Sequence, residues 1–241
     1  MKQKILIIFI LLCLIGCQHR SRVDITPHPI NPEAHIYYRM ARGLHASYDG
    51  GVEARLQALE FLDNALRIDS LNPHYYGLKA RIFTEWGFLD PALAVQTRAY
   101  ELGAMNGDYY FQLGLLQAAR GMDEEARENF RRSDEFLREV VRQHPDSLLA
   151  FVKQRAAHAL YMGDDALFMP DRNYVWDRFP DRGWELVTTQ SLRPSELIIQ
   201  VLDIERLLAE RNLNILSEIF ENDAERPAWM EYLENSPPKL E

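Results

Sequence analysis

His19, His28 and His35, the adjacent acids Asp164 and Asp165, and the cysteines Cys13 and Cys17 are the side chains whose types could do chemistry. Histidines bind transition metals. These three, however, are spread along a stretch broken by Pro27, Pro29 and Pro32, with no supporting cysteine or carboxylate at ligand spacing, so no metal centre is expected. Asp164-Asp165, directly after Gly163, reads as a solvated turn rather than an acid–base pair. No nucleophile elbow, Gly-rich phosphate loop or paired metal-ligand motif is present, and neither an enzymatic activity nor a cofactor is expected. The formal charge is −9 and no Lys/Arg run of five or more occurs. Nucleic acid, which is held chiefly by Lys and Arg on phosphate, is therefore an unexpected ligand. With 241 residues, 47% hydrophobic and 26% charged, the composition is that of a globular chain long enough for a sizeable core.

The start of the chain is set apart. Lys2 and Lys4 precede an apolar run from Ile5 to Ile15, too short for the roughly 20 residues of a membrane-spanning helix. The run ends in Leu14-Ile15-Gly16-Cys17, which resembles the lipobox of bacterial lipoprotein precursors. The resemblance implies that the Cys17 thiolate takes a diacylglyceryl group, that residues 1–16 are removed as a signal peptide, and that Cys17 becomes the N-terminus. Removal takes away Lys2 and Lys4 and no acid, so the formal charge moves from −9 to −11. With Cys13 gone, no internal disulfide remains to be formed. Gln18, rather than Asp, follows Cys17. By the sorting rule of enterobacterial lipoproteins this implies the outer membrane, facing the periplasm, with contact to the membrane through the lipid anchor only. Residues 17–33 are the lipidated cysteine and a Pro-rich tether without apolar periodicity, reaching at most about 50 Å when extended.

The elements that follow are read from self-similarity at a fixed period. Tyr76, Lys79, Ala80, Phe83, Gly87, Ala92 and Ala99 shift by 34 positions onto Tyr110, Leu113, Gly114, Gln117, Gly121, Ala126 and Ser133. The opposite shift from Ala92 and Ala99 reaches Ala58 and Ala65. This pattern resembles the tetratricopeptide repeat. Ala80 and Gly114 are expected where paired helices come closest, Gly87 and Gly121 at the ends of first helices, and Leu62 and Phe130 at the bulky site of second helices. Lys79, Gln96 and Gln117 depart from the pattern. An earlier repeat starts at Tyr37, Met40, Ala41 and Leu44, with its surplus residues at Ser47–Gly51. A partial fourth shows Val152, Ala156 and Ala159 before Gly163, after a long second helix stopped by Pro145. The expected architecture is all-α: a helical-hairpin solenoid of three repeats and a partial fourth over residues 34–169.

Residues 170–241 leave the repeat and are expected to form a helical cap with an aromatic-rich loop. The loop carries Asp-Arg three times among Tyr174, Trp176, Phe179 and Trp184. Trp176 and Trp184 serve either as packing or as a partner surface, where Trp and Arg are enriched. Helical spacing resumes at Leu197, Ile198, Val201, Leu202, Glu205 and Leu208, then in a second short pattern at Leu213, Leu216, Ile219 and Phe220, and in a third near Trp229, Met230 and Leu233.

In the tetratricopeptide family the first helices line a concave groove. Carried over, that lining comprises Tyr38, Arg39, Arg42 and His45, then His74, Leu78, Arg81 and Glu85, then Phe111, Gln112 and Leu115, and finally Lys153 and Gln154. Arg39, Arg42, Arg81 and Lys153 would form a cationic strip on an acidic protein, suited to an extended segment carrying carboxylates and an aromatic or aliphatic anchor. The expected role is a tethered scaffold docking an envelope enzyme or a secretion or assembly component. The alternatives are an immunity lipoprotein that blocks a toxin, and a subunit of a solute-uptake or glycan-handling system.

Overall fold

The computed structural model describes residues 29–46, 51–168, 172–180, 193–220, 227, 229–230 and 233, without the side chains of 172, 173 and 176. The signal segment, Cys17, most of the tether, the 47–50 turn and Trp184 lie outside the described residues. The structure is all-helical, with no strand among the described residues. The helices are α1 (Pro32–His45), α2 (Gly51–Ile68), α3 (Pro73–Glu85), α4 (Leu89–Glu101), α5 (Gly107–Ala118), α6 (Asp123–Gln143), α7 (Leu148–Met162), α8 (Arg172–Arg178) and α9 (Pro194–Phe220). A 3-10 turn spans Asp165–Leu167. None of the described helices is long and apolar enough to cross a membrane. Neighbours pack in succession: α1 on α2, α3 on α4, α5 on α6, and α6 on α7.

The residues before the first helices explain where those helices begin. Asn31, Asn72 and Asn106 each turn a side-chain oxygen onto the first free backbone N–H groups of α1, α3 and α5, at 3.0–3.2 Å. Ser147 does the same for α7 at 3.4 Å. Such caps satisfy donors that the helix itself leaves open. Pro32 and Pro73 follow two of these caps. A proline in the first turn has no N–H to lose, so Pro32 opens α1 instead of extending the tether. The first helices of the second and third hairpins end at Gly87 (φ +84°) and Gly121 (φ +71°), where a left-handed residue is needed.

The chain forms two compact units. One contains residues 105–200 and the other residues 26–104 and 201–241, the division falling inside α9. In the second unit Ala34, Tyr38 and Ala41 of α1 meet α2, which buries Ala58, Leu59, Leu62 and Ala65. Leu59 and Leu62 are fully buried, each contributing about 2 kcal/mol. Met40, read in the first repeat with Tyr37 and Ala41, is exposed, because it lies about a third of a turn away from the buried Ala34–Tyr38–Ala41 stripe. α9 closes onto the turn between α3 and α4. A Cβ placed on Gly87 would lie 2.9 Å from the Ile204 carbonyl oxygen and 3.1 Å from the Ala209 nitrogen. Asn212 Nδ2 donates to the Trp86 carbonyl at 3.1 Å, and Trp229 packs between Phe83 and Phe220, 5.9 and 6.0 Å from their rings. The two apolar patterns read separately at 197–208 and 213–220 are one continuous helix, and this part of the C-terminal region covers the second hairpin.

In the first unit, Gly114 of α5 would place a Cβ 2.8 Å from the Phe130 ring and 3.2 Å from the Ala126 carbonyl oxygen, so only glycine allows α5 and α6 to approach this closely. α8 seats Phe179 against Phe151 of α7, 5.4 Å between rings. Arg178 joins this packing: its guanidinium lies 5.1 Å from the Phe151 ring and donates to Tyr174 Oη and the Pro145 carbonyl. Asp165 is likewise no idle turn residue. Its carboxylate accepts from Ser195 N at 2.9 Å and from Ser195 Oγ, fastening the start of α9.

Candidate functional site

α1 carries three parallel stripes, each spaced i, i+4, i+7, the spacing that keeps side chains on one helix face. Ala34, Tyr38 and Ala41 are buried. His35, Arg39 and Arg42 form the next stripe, with both arginines exposed. Ile36, Met40 and Gly43 form the third, where Ile36 is 60% and Met40 45% exposed. Sequence periodicity marks these positions as helical, but the apolar outer stripe was not singled out. Its signal was present, since Ile36 and Met40 recur four residues apart on a stripe beside His35, Arg39 and Arg42.

Neither Arg39 nor Arg42 has an ion pair or side-chain hydrogen bond among the described residues. Their surroundings are cationic. His74 of α3 lies with Arg39 and Arg42 close enough to act on His35, whose value is held below the ordinary 6.5 by burial first and by these three groups. Tyr38 forms the floor, its ring 5.7 Å from His35 and 5.3 Å from Tyr75. At the end of α1, His45 Nε2 is 2.9 Å from Glu85 Oε1, with Arg55 Nε 3.7 Å from the same carboxylate, so the His45 imidazole is occupied.

The remaining residues of the inferred groove have a different environment. Leu78 and Arg81 of α3 are buried, and Arg81 is already engaged. Phe111, Gln112 and Leu115 of α5 are buried, with Phe111 edge-on to Phe130 at 5.9 Å. Lys153 of α7 is buried and donates to Asp108 Oδ1 at 2.7 Å. Gln154 donates to Asp134 at 2.6 Å. These side chains are internal connections. Of the four cations expected to form one strip, Arg39 and Arg42 are open to solvent, whereas Arg81 and Lys153 are not. For Lys153 the cause is a tertiary contact: Asp108, 45 residues away in sequence, stands opposite it. Trp176 lies on α8, but its side chain and all of Trp184 are outside the described residues.

Other charged faces neutralise themselves. On α6, Glu128 accepts from both Arg131 and Arg132, and these bonds hold its carboxyl down to about 2. Glu139 is held down to about 2 by Arg142 and then Gln143. A cleft between Asn106, Asp108, Leu137, Val140 and Lys153 has a volume of about 30 Å³, room for a water or two but not for an organic ligand. Among the described residues no group of three His, Cys, Asp or Glu is placed to hold a metal ion. No protein-family model, no curated protein and no solved structure matches the chain.

Proposed function

We propose that this chain is a membrane-tethered adaptor of the bacterial cell envelope, without catalytic activity, that docks a partner protein on the outer face of α1. In this reading Cys17 is the lipid anchor, on the outer membrane and facing the periplasm. The helical hairpins are tetratricopeptide-like, three with a partial fourth. The 34-residue spacing of Gly87 and Gly121 and the close approach at Gly114 support that comparison. Because Arg81, Phe111, Leu115 and Lys153 are buried, the docking surface contracts from the whole groove to its first helix.

The observation that carries the reading is the pair Arg39 and Arg42: exposed, without ion pairs among the described residues, and beside exposed Ile36 and Met40. On a chain of net charge −9 such a patch suits a segment that offers carboxylates and an aliphatic anchor. The test is affinity capture of envelope proteins on the full-length chain in mild detergent, with Arg39→Glu/Arg42→Glu alongside. The adaptor reading expects a resident envelope protein held by the native chain and lost by the variant. Equal capture by both removes α1 as the docking face, and a toxin as the sole tight partner replaces the adaptor with an inhibitor. For the anchor, Cys17→Ser should move the chain from the membrane to the soluble fraction; retention in the membrane would contradict lipidation at Cys17.

A further inference from the structure

The first helices of the hairpins can be compared position by position. Tyr37, Ala41 and Leu44 of α1 stand at one constant shift from Val152, Ala156 and Ala159 of α7, which makes Arg39 the counterpart of Gln154 and Gly43 that of His158. On α7 both positions meet the second helix that precedes it. Gln154 donates to Asp134 Oδ1 of α6 at 2.6 Å, and His158 Nδ1 lies 3.1 Å from Oδ2 of the same carboxylate. Within the other unit α3 repeats the arrangement, with Lys79 donating to Asp63 of α2. Each of these two first helices takes an acid from the second helix before it. α1 is the first of the described helices, and its corresponding face is open. Arg39, Arg42 and Gly43 are exposed, a Cβ on Gly43 would meet nothing within 4 Å, and neither arginine has an ion pair among the described residues.

We propose that the outer face of α1 receives an amphipathic helix of a partner protein, lying where a preceding second helix would lie. An Asp or Glu of that helix stands against Arg39 and Arg42, as Asp134 stands against Gln154, and a bulky apolar side chain fills the hollow over Gly43 beside Ile36 and Met40. The proposal rests on α1 being the docking face and specifies its occupant as a helix. Ile36, Met40 and Gly43 recur at i, i+4 and i+7, the spacing with which one helix meets another. An extended segment would bring backbone N–H and C=O groups against a helix whose own are bonded internally, whereas a helix satisfies its own. From Ile36 to Gly43 the seam is about 10 Å long at roughly 1.5 Å per residue, two turns of the incoming helix. A second copy of the chain fits poorly. Asp63 and Asp134, the acids of this kind on α2 and α6, are already engaged, and two α1 helices face to face would gather like charges.

The probe is a sixteen-residue helical peptide with Leu on one face and Glu on its flanks, read by fluorescence anisotropy on the full-length chain in nonionic detergent, with detergent alone as blank. It should bind at least about tenfold tighter than the same peptide with Lys for Glu, and Arg39→Glu/Arg42→Glu should reverse that preference. Gly43→Leu fills the hollow and should weaken the Glu peptide about tenfold while the thermal midpoint stays or rises, so that lost binding is not lost fold. A proline at the peptide's centre, with the charges kept, should abolish binding. Equal binding of the proline peptide would overturn the helix and leave α1 as a docking face. Failure of the Glu peptide to bind, or binding indifferent to the two arginines, would overturn the helical partner; capture of an envelope protein that still depends on Arg39 and Arg42 would then preserve the docking face alone. An arginine-dependent dimer of the chain, or arginine-dependent binding to phosphatidylglycerol vesicles without peptide binding, would overturn the partner assignment.

Discussion

α1 and α7 both carry the apolar spacing read as a first helix, yet their cations have opposite fates. Lys153 on α7 is buried and paired with Asp108, and the neighbouring Gln154 and His158 converge on the buried Asp134. Arg39 and Arg42 on α1 are exposed and have no ion pair among the described residues, and the apolar side chains next to them face outward too. The glycines repeat the contrast: Gly114 of α5 has no room for a Cβ, whereas Gly43 of α1 has nothing within 4 Å. A charged residue on a first helix is therefore no indicator of a binding groove by itself. What distinguishes the α1 face is that, among the described residues, no counter-charge pairs with Arg39 or Arg42, and Ile36 and Met40 stay exposed.

The largest expected effect tests the inward side of this contrast. Asp134→Ala removes the acceptor of Gln154, Arg138 and His158, and should destabilise the chain by about 3 kcal/mol in urea unfolding. Lys153→Met keeps the buried stem but strands Asp108. Because the Asp108 carboxylate is about a third exposed, the expected loss is smaller, about 1 kcal/mol. On the outward side the sign reverses. Gly43→Ala adds a helix-favouring residue in open space and should raise stability by about 0.5 kcal/mol, which a shift in thermal midpoint would register. Smallest of all, Arg39→Glu/Arg42→Glu should move stability by less than about 0.5 kcal/mol, with its consequences confined to binding. A large loss of stability there would erase the distinction between the two faces.

Much of the hairpin framework was legible because its determinants are local. Gly87 and Gly121 announce turns at a 34-residue spacing, Gly114 and Phe130 complement one another within one repeat, and Pro145 stops the helix it follows. The asparagine caps at 31, 72 and 106 were equally readable and would have placed the helix starts, Pro32 included. The continuity of α9 was not legible. Its buried positions drift around the helix from Val201 and Ile204 through Glu205 and Ala209 to Leu216, and Asn212, which looks like a break, is bonded to the Trp86 carbonyl. A polar residue that is satisfied by a partner 126 positions away carries no trace of that partner in its own neighbourhood. The candidate site was half legible for the same reason. Arg39, Arg42, Arg81 and Lys153 look alike along the chain, and tertiary contacts alone separate the two that are open from the two that are not.

The most direct test of α1 as the docking face is arginine footprinting with a dicarbonyl reagent, read by mass spectrometry, in intact cells and on the purified chain. Arg39 and Arg42 should react readily in the purified chain and be protected in cells, while Arg81 reacts slowly in both. Equal reactivity of Arg39 and Arg42 in the two settings, with protection arising at other arginines, would contradict the account.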